Sequence, residues 1–205
     1  MRPPRMRVAL FGRSLAGFTL ANAMERAGHE VQMLSDPAEL SSFEALIIAV
    51  GDARLEATVE LLEPHVHHGL IVFHTCLSRG VQVLDPLETR GCVVAALAPF
   101  ALMRWAVTTL DELGETVVEL NITEFRGEAV ALSDAERPSF AARAYYAEML
   151  RRLHISAAVD ARFFPSAEEK PMVGEDMDTE EIIAAYRGAT DPGLRRSYVE
   201  VARRL

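Results

Sequence analysis

The chain has 205 residues, half of them hydrophobic and a quarter charged, enough for one full globular domain and a small appendage. Its net charge of −9 argues against a nucleic-acid surface, which is normally basic, and no apolar run reaches the roughly 18 residues of a membrane helix. The N-terminal MRPPRMRVALFG has no apolar core leading to a small-residue cleavage site, and Cys76 and Cys92 have no metal or redox spacing; a cytoplasmic, reducing location without a signal peptide is expected.

In chain order, RVALF reads as a strand and LAGFTLANAMERAG as a helix, with Phe18, Ala21, Met24 and Ala27 three apart on one stripe. HEVQML is a second strand. ALIIAV, Ala45 to Val50, is the all-apolar kind buried on both faces of a parallel sheet. DARLEATVELLEPHV follows as a helix with Asp52 placed to cap it. GLIVFHT and GCVVAALAPF are further strands, separated by a short helical piece around VQVLDPLE. ALMRWAVTTLDELG is expected to be a helix closed by Gly114, and TVVELNI and EAVALS to pair as strands around TEFRG. AARAYYAEMLRRLH is a strong helix with Ala141, Tyr145 and Met149 four apart, and ISAAV adds a last strand. Beyond Pro165 the acidic SAEEKPMVGEDMDTEE reads as a solvated linker. Asp178 and Glu181 then resemble a cap and third position for the helix TEEIIAAYRG, before a last short helix, GLRRSYVEVARRL. Alternating strands and helices predict an α/β fold, a three-layer sandwich around a mostly parallel sheet over residues 1–165, with a linker and helical extension over 166–205.

The first strand and helix are joined by Gly12-Arg13-Ser14-Leu15-Ala16-Gly17, a G-x-G-x-x-G turn with serine at the middle glycine. The first glycine permits the sharp turn, the second lets backbone approach a pyrophosphate, and the third lets the helix pack on the sheet. Ser14 either crowds a phosphate or donates a hydrogen bond to it. The second strand should end in the residue that reads an adenosine ribose: Ser35 comes first and then Asp36, 19 residues after Gly17. Asp36 either contacts a ribose hydroxyl or opens the turn with Pro37. A nucleophile-elbow reading of Ser14 is disfavoured, because only one short strand precedes it.

Together, FGRSLAGFTLANAMERAGHEV, LIIAVGDARLEATVELLEPHV and GLIVFHTCLSRGVQVLDPLETRGCVVAALAPF resemble the 6-phosphogluconate-dehydrogenase-like NAD(P)-binding Rossmann proteins, over about residues 7 to 100. Within that family the likeness is to oxidoreductases whose third strand ends V-P-D and whose next ends H-T-S-G. This chain has Ser14 for a glycine, Gly51 for the proline, Cys76 and Leu77 for Ser-Gly, and Ala98 where relatives carry histidine. The resemblance implies that Gly12, Arg13, Ser14, Leu15 and Ala16 line a pyrophosphate. It implies further that Val50, Gly51 and Asp52 border the nicotinamide ribose and that His74, Thr75 and Cys76 stand near the nicotinamide.

The implied activity is that of an NAD(P)-dependent oxidoreductase on a small molecule, with NADP favoured over NAD. The alternative is a non-catalytic nucleotide-binding or protein-interaction module on the same fold, since about 40 residues after Pro165 replace a full substrate domain. His74 at a strand end is the one catalytic candidate, with a satisfied buried histidine as its rival reading. Cys76 reads as a buried structural cysteine before a reactive thiol, and Tyr145 and Tyr146 as core or interface residues. His65, His67 and His68 end a helix and point apart, so no metal is expected. Ile182, Ile183, Tyr186, Tyr198 and Val201 need a covering surface, either a partner or the chain's own sheet, and self-association as a homodimer through the C-terminal helices is expected.

Overall fold

The computed structural model describes residues 5–153 and 179–205. The chain opens with β1 (Arg7–Gly12), α1 (Leu15–Ala27), β2 (Glu30–Met33), β3 (Ala45–Ala49), α2 (Leu55–Leu62) and β4 (Ile71–His74). It continues with α3 (Asp85–Thr89), β5 (Val93–Ala101), β6 (Arg104–Thr109), α4 (Glu112–Phe125), β7 (Glu128–Ala131) and α5 (Arg137–Arg152), and then α6 (Thr179–Gly188) and α7 (Pro192–Ala202). The strands form one seven-stranded sheet in the order β2-β1-β3-β4-β5-β6-β7, and every neighbouring pair is parallel except β5 and β6.

The apolar β3 has the two-sided burial its composition predicts. Leu46 and Ile48 join the core under α2 and α3, while Ala45, Ile47 and Ala49 join the core under α1 and α4. Each large side chain so buried contributes about 1.5–3 kcal/mol relative to exposure. On α1 the buried stripe is Gly17, Leu20, Ala21, Ala23 and Met24; Phe18 stays 39% exposed, at the edge of a cleft.

Three expectations are corrected. Residues 101–111 are not helical, and 112–114 begin the next helix rather than end one. Leu102 and Met103, with Met103 at φ 56, turn the chain back so that β6 pairs antiparallel with β5. Trp105 and Val107 then face one core and Ala106 another, a period of two that overrides the helix propensity of Ala, Leu and Met. TVVELNI is likewise helix, not strand: Gly114, Val118, Asn121, Ile122 and Phe125 are the buried stripe of α4, which Asp111 caps by accepting from the Gly114 N–H at 2.7 Å. Gly114 opens that helix rather than closing one. Asp52, third, caps nothing. It begins a 3₁₀ turn (Asp52–Arg54) whose cap position, Gly51, makes no side-chain bond.

EAVALS supplies β7 as expected, and Ala141, Tyr145 and Met149 lie together on the packed face of α5. That face receives the C-terminal helices: Ile182, Ala185, Tyr186, Tyr198 and Val201 pack with Met149 and Leu150, so α5 supplies the cover their apolar residues require. Ile183 remains 49% exposed. The strand expected at ISAAV, the acidic linker and Asp178 lie outside the described residues.

Candidate functional site

Ala49, the last residue of β3, organises the glycine turn. Gly12 has φ +100, and a Cβ there would stand 2.2 Å from the Ala49 carbonyl oxygen; a Cβ on Gly17 would stand 2.1 Å from the Ala49 Cβ. Both glycines are therefore required by packing, in the sharp-turn and helix-packing roles read for them. The Ser14 N–H donates to the same Ala49 oxygen at 2.9 Å. Ser14 is the N-cap of α1, and its Oγ accepts from the Gly17 N–H at 3.1 Å and lies 3.5 Å from Thr75 Oγ1. The N–H groups of Leu15 and Ala16, in the first turn, have no intrahelical acceptor and stand at the positive end of the helix.

This turn sits where the strand order reverses, since β1 lies between β2 and β3. A cleft of about 750 Å³ opens there along the carboxyl edge of the sheet, a volume typical of small-molecule sites. Gly12, Arg13, Ser14, Leu15 and Ala16 line it from the turn, Val50, Gly51 and Asp52 from the end of β3, and Thr75 and Cys76 from the end of β4. The structure thus brings ten of the thirteen candidate residues to one cavity. Ser35 and Asp36 are exposed at the end of β2, outside its lining, and Asp36 Oδ1 accepts from the Ala38 N–H at 2.9 Å, capping the turn that Pro37 opens.

His74 is also outside the cleft. It is fully buried, with Nε2 3.0 Å from the Gly80 carbonyl and Nδ1 accepting from the Cys76 N–H. Burial first, and then the charge of Arg137, lower its pKa from 6.5 to about 3, so the imidazole is neutral, donates from Nε2 and has no nitrogen left for a substrate. The expectation of His74 as a catalytic candidate near the nicotinamide is corrected in favour of its rival reading, a satisfied buried histidine. Cys76 reaches the cleft, but its thiol donates to the Val50 carbonyl at 3.2 Å, and burial followed by the Asp52 carboxylate pushes its pKa well up. It is a thiol rather than a thiolate. His67 places its two ring nitrogens 3.0 Å from the carbonyls of Phe43 and His68.

Other residues that shape this edge carry no local signal. Arg137, at the start of α5, is fully buried and donates to Thr108 Oγ1 and to the carbonyls of Cys76, Leu77, Ala96 and Ala106 at 2.7–3.2 Å. Burial lowers its pKa to about 10, which leaves it charged at neutral pH. Asp134 accepts from the Val81 and Gln82 N–H groups, and Asp52 accepts from Ser78 Oγ. Four side chains, His74, Asp52, Asp134 and Arg137, thus hold the segment from Cys76 to Gln82. On the opposite side Tyr145, Glu180, Glu181 and Ala184 line the cleft, and Tyr145 Oη donates to Glu181 Oε2 at 2.9 Å. Tyr145 is therefore a cleft residue as well as a packed one, and α6 supplies the wall beside it. Its phenol is pushed far up, by burial first and then by Glu181, so it acts as a neutral hydrogen-bonding group.

A family model described as a Rossmann-like domain matches residues 36–99. The fold is Rossmann-type. Solved structures similar to this Rossmann-type chain include Synechocystis arogenate dehydrogenase (14% identity, TM-score 0.58, covering 97% of this chain and 84% of that one). Prephenate dehydrogenase from Aquifex aeolicus is another (11% identity, TM-score 0.63, 97% and 90%). UDP-D-ManNAc dehydrogenase from Pyrococcus horikoshii is a third (13% identity, TM-score 0.64, 97% and 68%). No curated protein matches the sequence. No helix among the described residues is long and apolar enough to cross a membrane.

Proposed function

We propose that the cleft binds a nicotinamide dinucleotide, NADP in preference to NAD, and that the chain is an oxidoreductase acting on a small molecule. The observation that carries this reading is the glycine turn at the strand-order reversal, with the Leu15 and Ala16 N–H groups opening into a cleft that extends past β3 and β4. The residues present fit the group. Arg13 and those two N–H groups would hold a pyrophosphate, and Ser14 has a hydroxyl hydrogen available beside them, because its oxygen is already accepting from Gly17. The preference for NADP rests on Ser35, a small, uncharged polar side chain exposed just past the end of β2. When bound, the nicotinamide supplies the hydride chemistry; the chain's own residues position it and exclude water, α6 closing the far side.

The sealed His74 and the protonated Cys76 favour a second reading, a nucleotide-binding module without catalysis. Calorimetric titration with NADP and NAD tests the binding both readings share, and binding heat for NADP is expected. No heat and no thermal stabilisation at millimolar nucleotide would sink both. A substrate-dependent change in NADPH absorbance separates the enzyme from the module. A homodimer through α6 and α7 would use Ile183, which α5 leaves exposed; light scattering on the full chain reads it.

A further inference from the structure

The cleft carries opposite charge at its two ends. Arg13 and the N–H groups of Leu15 and Ala16 stand at the glycine turn. At the other end, around Cys76, stand two carboxylates brought together from distant parts of the chain. Asp52 follows β3 and accepts a hydrogen bond from Ser78 Oγ. Glu181 lies on α6; its Oε2 accepts from Tyr145, and its Oε1 is 3.7 Å from where a Cβ on Gly51 would stand. Among the described residues, Arg54 and Arg137 are cations near them. Arg54 also lines the cleft, but it is exposed and solvent screens it. Arg137 is buried behind the Cys76 backbone with its donors committed to carbonyls and Thr108. The Cys76 thiol reports the balance: after burial, Asp52 and then Glu181 raise its pKa, and Arg137 lowers it by less than either.

In a fold of this kind the adenosine half lies toward β2, so the nicotinamide half would lie across β3 and β4, over this acidic end. The nicotinamide ring is a cation when oxidised and neutral when reduced. We infer that this cleft binds the oxidised cofactor more tightly than the reduced one, because Asp52 and Glu181 face the ring's positive charge, which poises the bound couple toward the oxidised form. The inference rests on the dinucleotide reading above.

Calorimetric titration of NADP⁺ and NADPH into the full chain tests it. The wild type should bind NADP⁺ more tightly. Asp52→Asn, which keeps an acceptor for Ser78, should cut the ratio of the two affinities about fivefold, the effect of one screened unit charge at short range. Glu181→Gln should change it in the same direction. The wild-type ratio needs no variant and is decisive alone: equal binding, or tighter binding of NADPH, overturns the inference. An unchanged ratio in both variants, each melting as the wild type does, also overturns it. If neither form binds, the dinucleotide reading itself falls, an outcome distinct from tight but unselective binding of both forms.

Discussion

The two walls of the cleft are built by different means. At the glycine turn the work is done by backbone and by the absence of side chains: Gly12, Ser14 and Gly17 all close on Ala49, and their spacing is local. After β4 the same edge is held by polar side chains, two of which, the half-buried Asp134 and the buried Arg137, come from the junction of β7 and α5, 53 to 61 residues downstream. The first wall should break with any added atom. The second should lose stability and definition when a hydrogen-bonding group is removed, because the partners left behind are buried.

The largest effect is expected at the turn. Gly12→Ala puts a Cβ into the Ala49 carbonyl at a positive φ, and should cost about 4 kcal/mol, or roughly 10 °C in melting temperature. Thermal denaturation checks it. A variant melting within a degree or two of wild type would show that the turn rearranges easily and that Ala49 is not its fixed point.

Removing Arg137 comes next. Arg137→Met leaves four carbonyls and the Thr108 hydroxyl without their buried donor, and should cost about 3 kcal/mol. It should also speed amide exchange at Cys76, whose N–H is held by His74 on the same segment. Arg137→Lys, with three donors for five bonds, should recover only part of the loss. Exchange at Cys76 unchanged in Arg137→Met would mean that the remaining side chains hold the segment without it.

The contrast between the walls also explains what was legible in the sequence. β1 to β5 and the turn were readable because their determinants are local: apolar runs, two glycines at fixed spacing, and a helix of period 3.6. The stretch from Ala101 to Thr109 does not declare itself a strand because β6 exists only through its pairing with β5, and isolated Ala, Leu and Met favour helix. Arg137 and Tyr145 could not be placed in the site, since nothing near them in sequence states which carbonyls or which helix they meet. His74 was correctly located at the end of its strand but its surroundings were not: the Gly80 carbonyl and the buried Arg137 are supplied by the fold.

That same histidine gives a smaller, pH-dependent test. Its pKa is about 3 in the folded chain and about 6.5 when unfolded, so the unfolded chain binds the extra proton as pH falls. The stability is fully present above pH 6.5 and is lost progressively toward pH 3. Wild type should therefore lose about 2 kcal/mol more between pH 7 and pH 5 than His74→Gln, whose amide can donate to Gly80 and accept from Cys76. Denaturant titrations at the two pH values measure the difference. Parallel pH dependence in both proteins would place the imidazole in contact with solvent.

The smallest effect belongs to Ser14, where the two walls come within 3.5 Å of each other through the Thr75 hydroxyl. Its oxygen accepts from Gly17, so its hydrogen is free to point at Thr75 or at a bound phosphate. As a cap, Ser14→Ala should cost about 1 kcal/mol of stability and Ser14→Gly only a few tenths. Binding separates the two roles the residue can play. If the hydroxyl donates to a phosphate, alanine and glycine should both weaken NADP binding, by about 1 kcal/mol or fivefold. If the Cβ crowds the phosphate instead, glycine should tighten binding by a similar factor while alanine, which keeps the Cβ, should not. The capping geometry directs the oxygen's lone pair to the backbone and leaves the hydrogen to the cleft, so weakening in both variants is the expected result. Tighter binding by Ser14→Gly in calorimetry would overturn it and make the serine a steric limit on how closely the backbone of this turn approaches a phosphate.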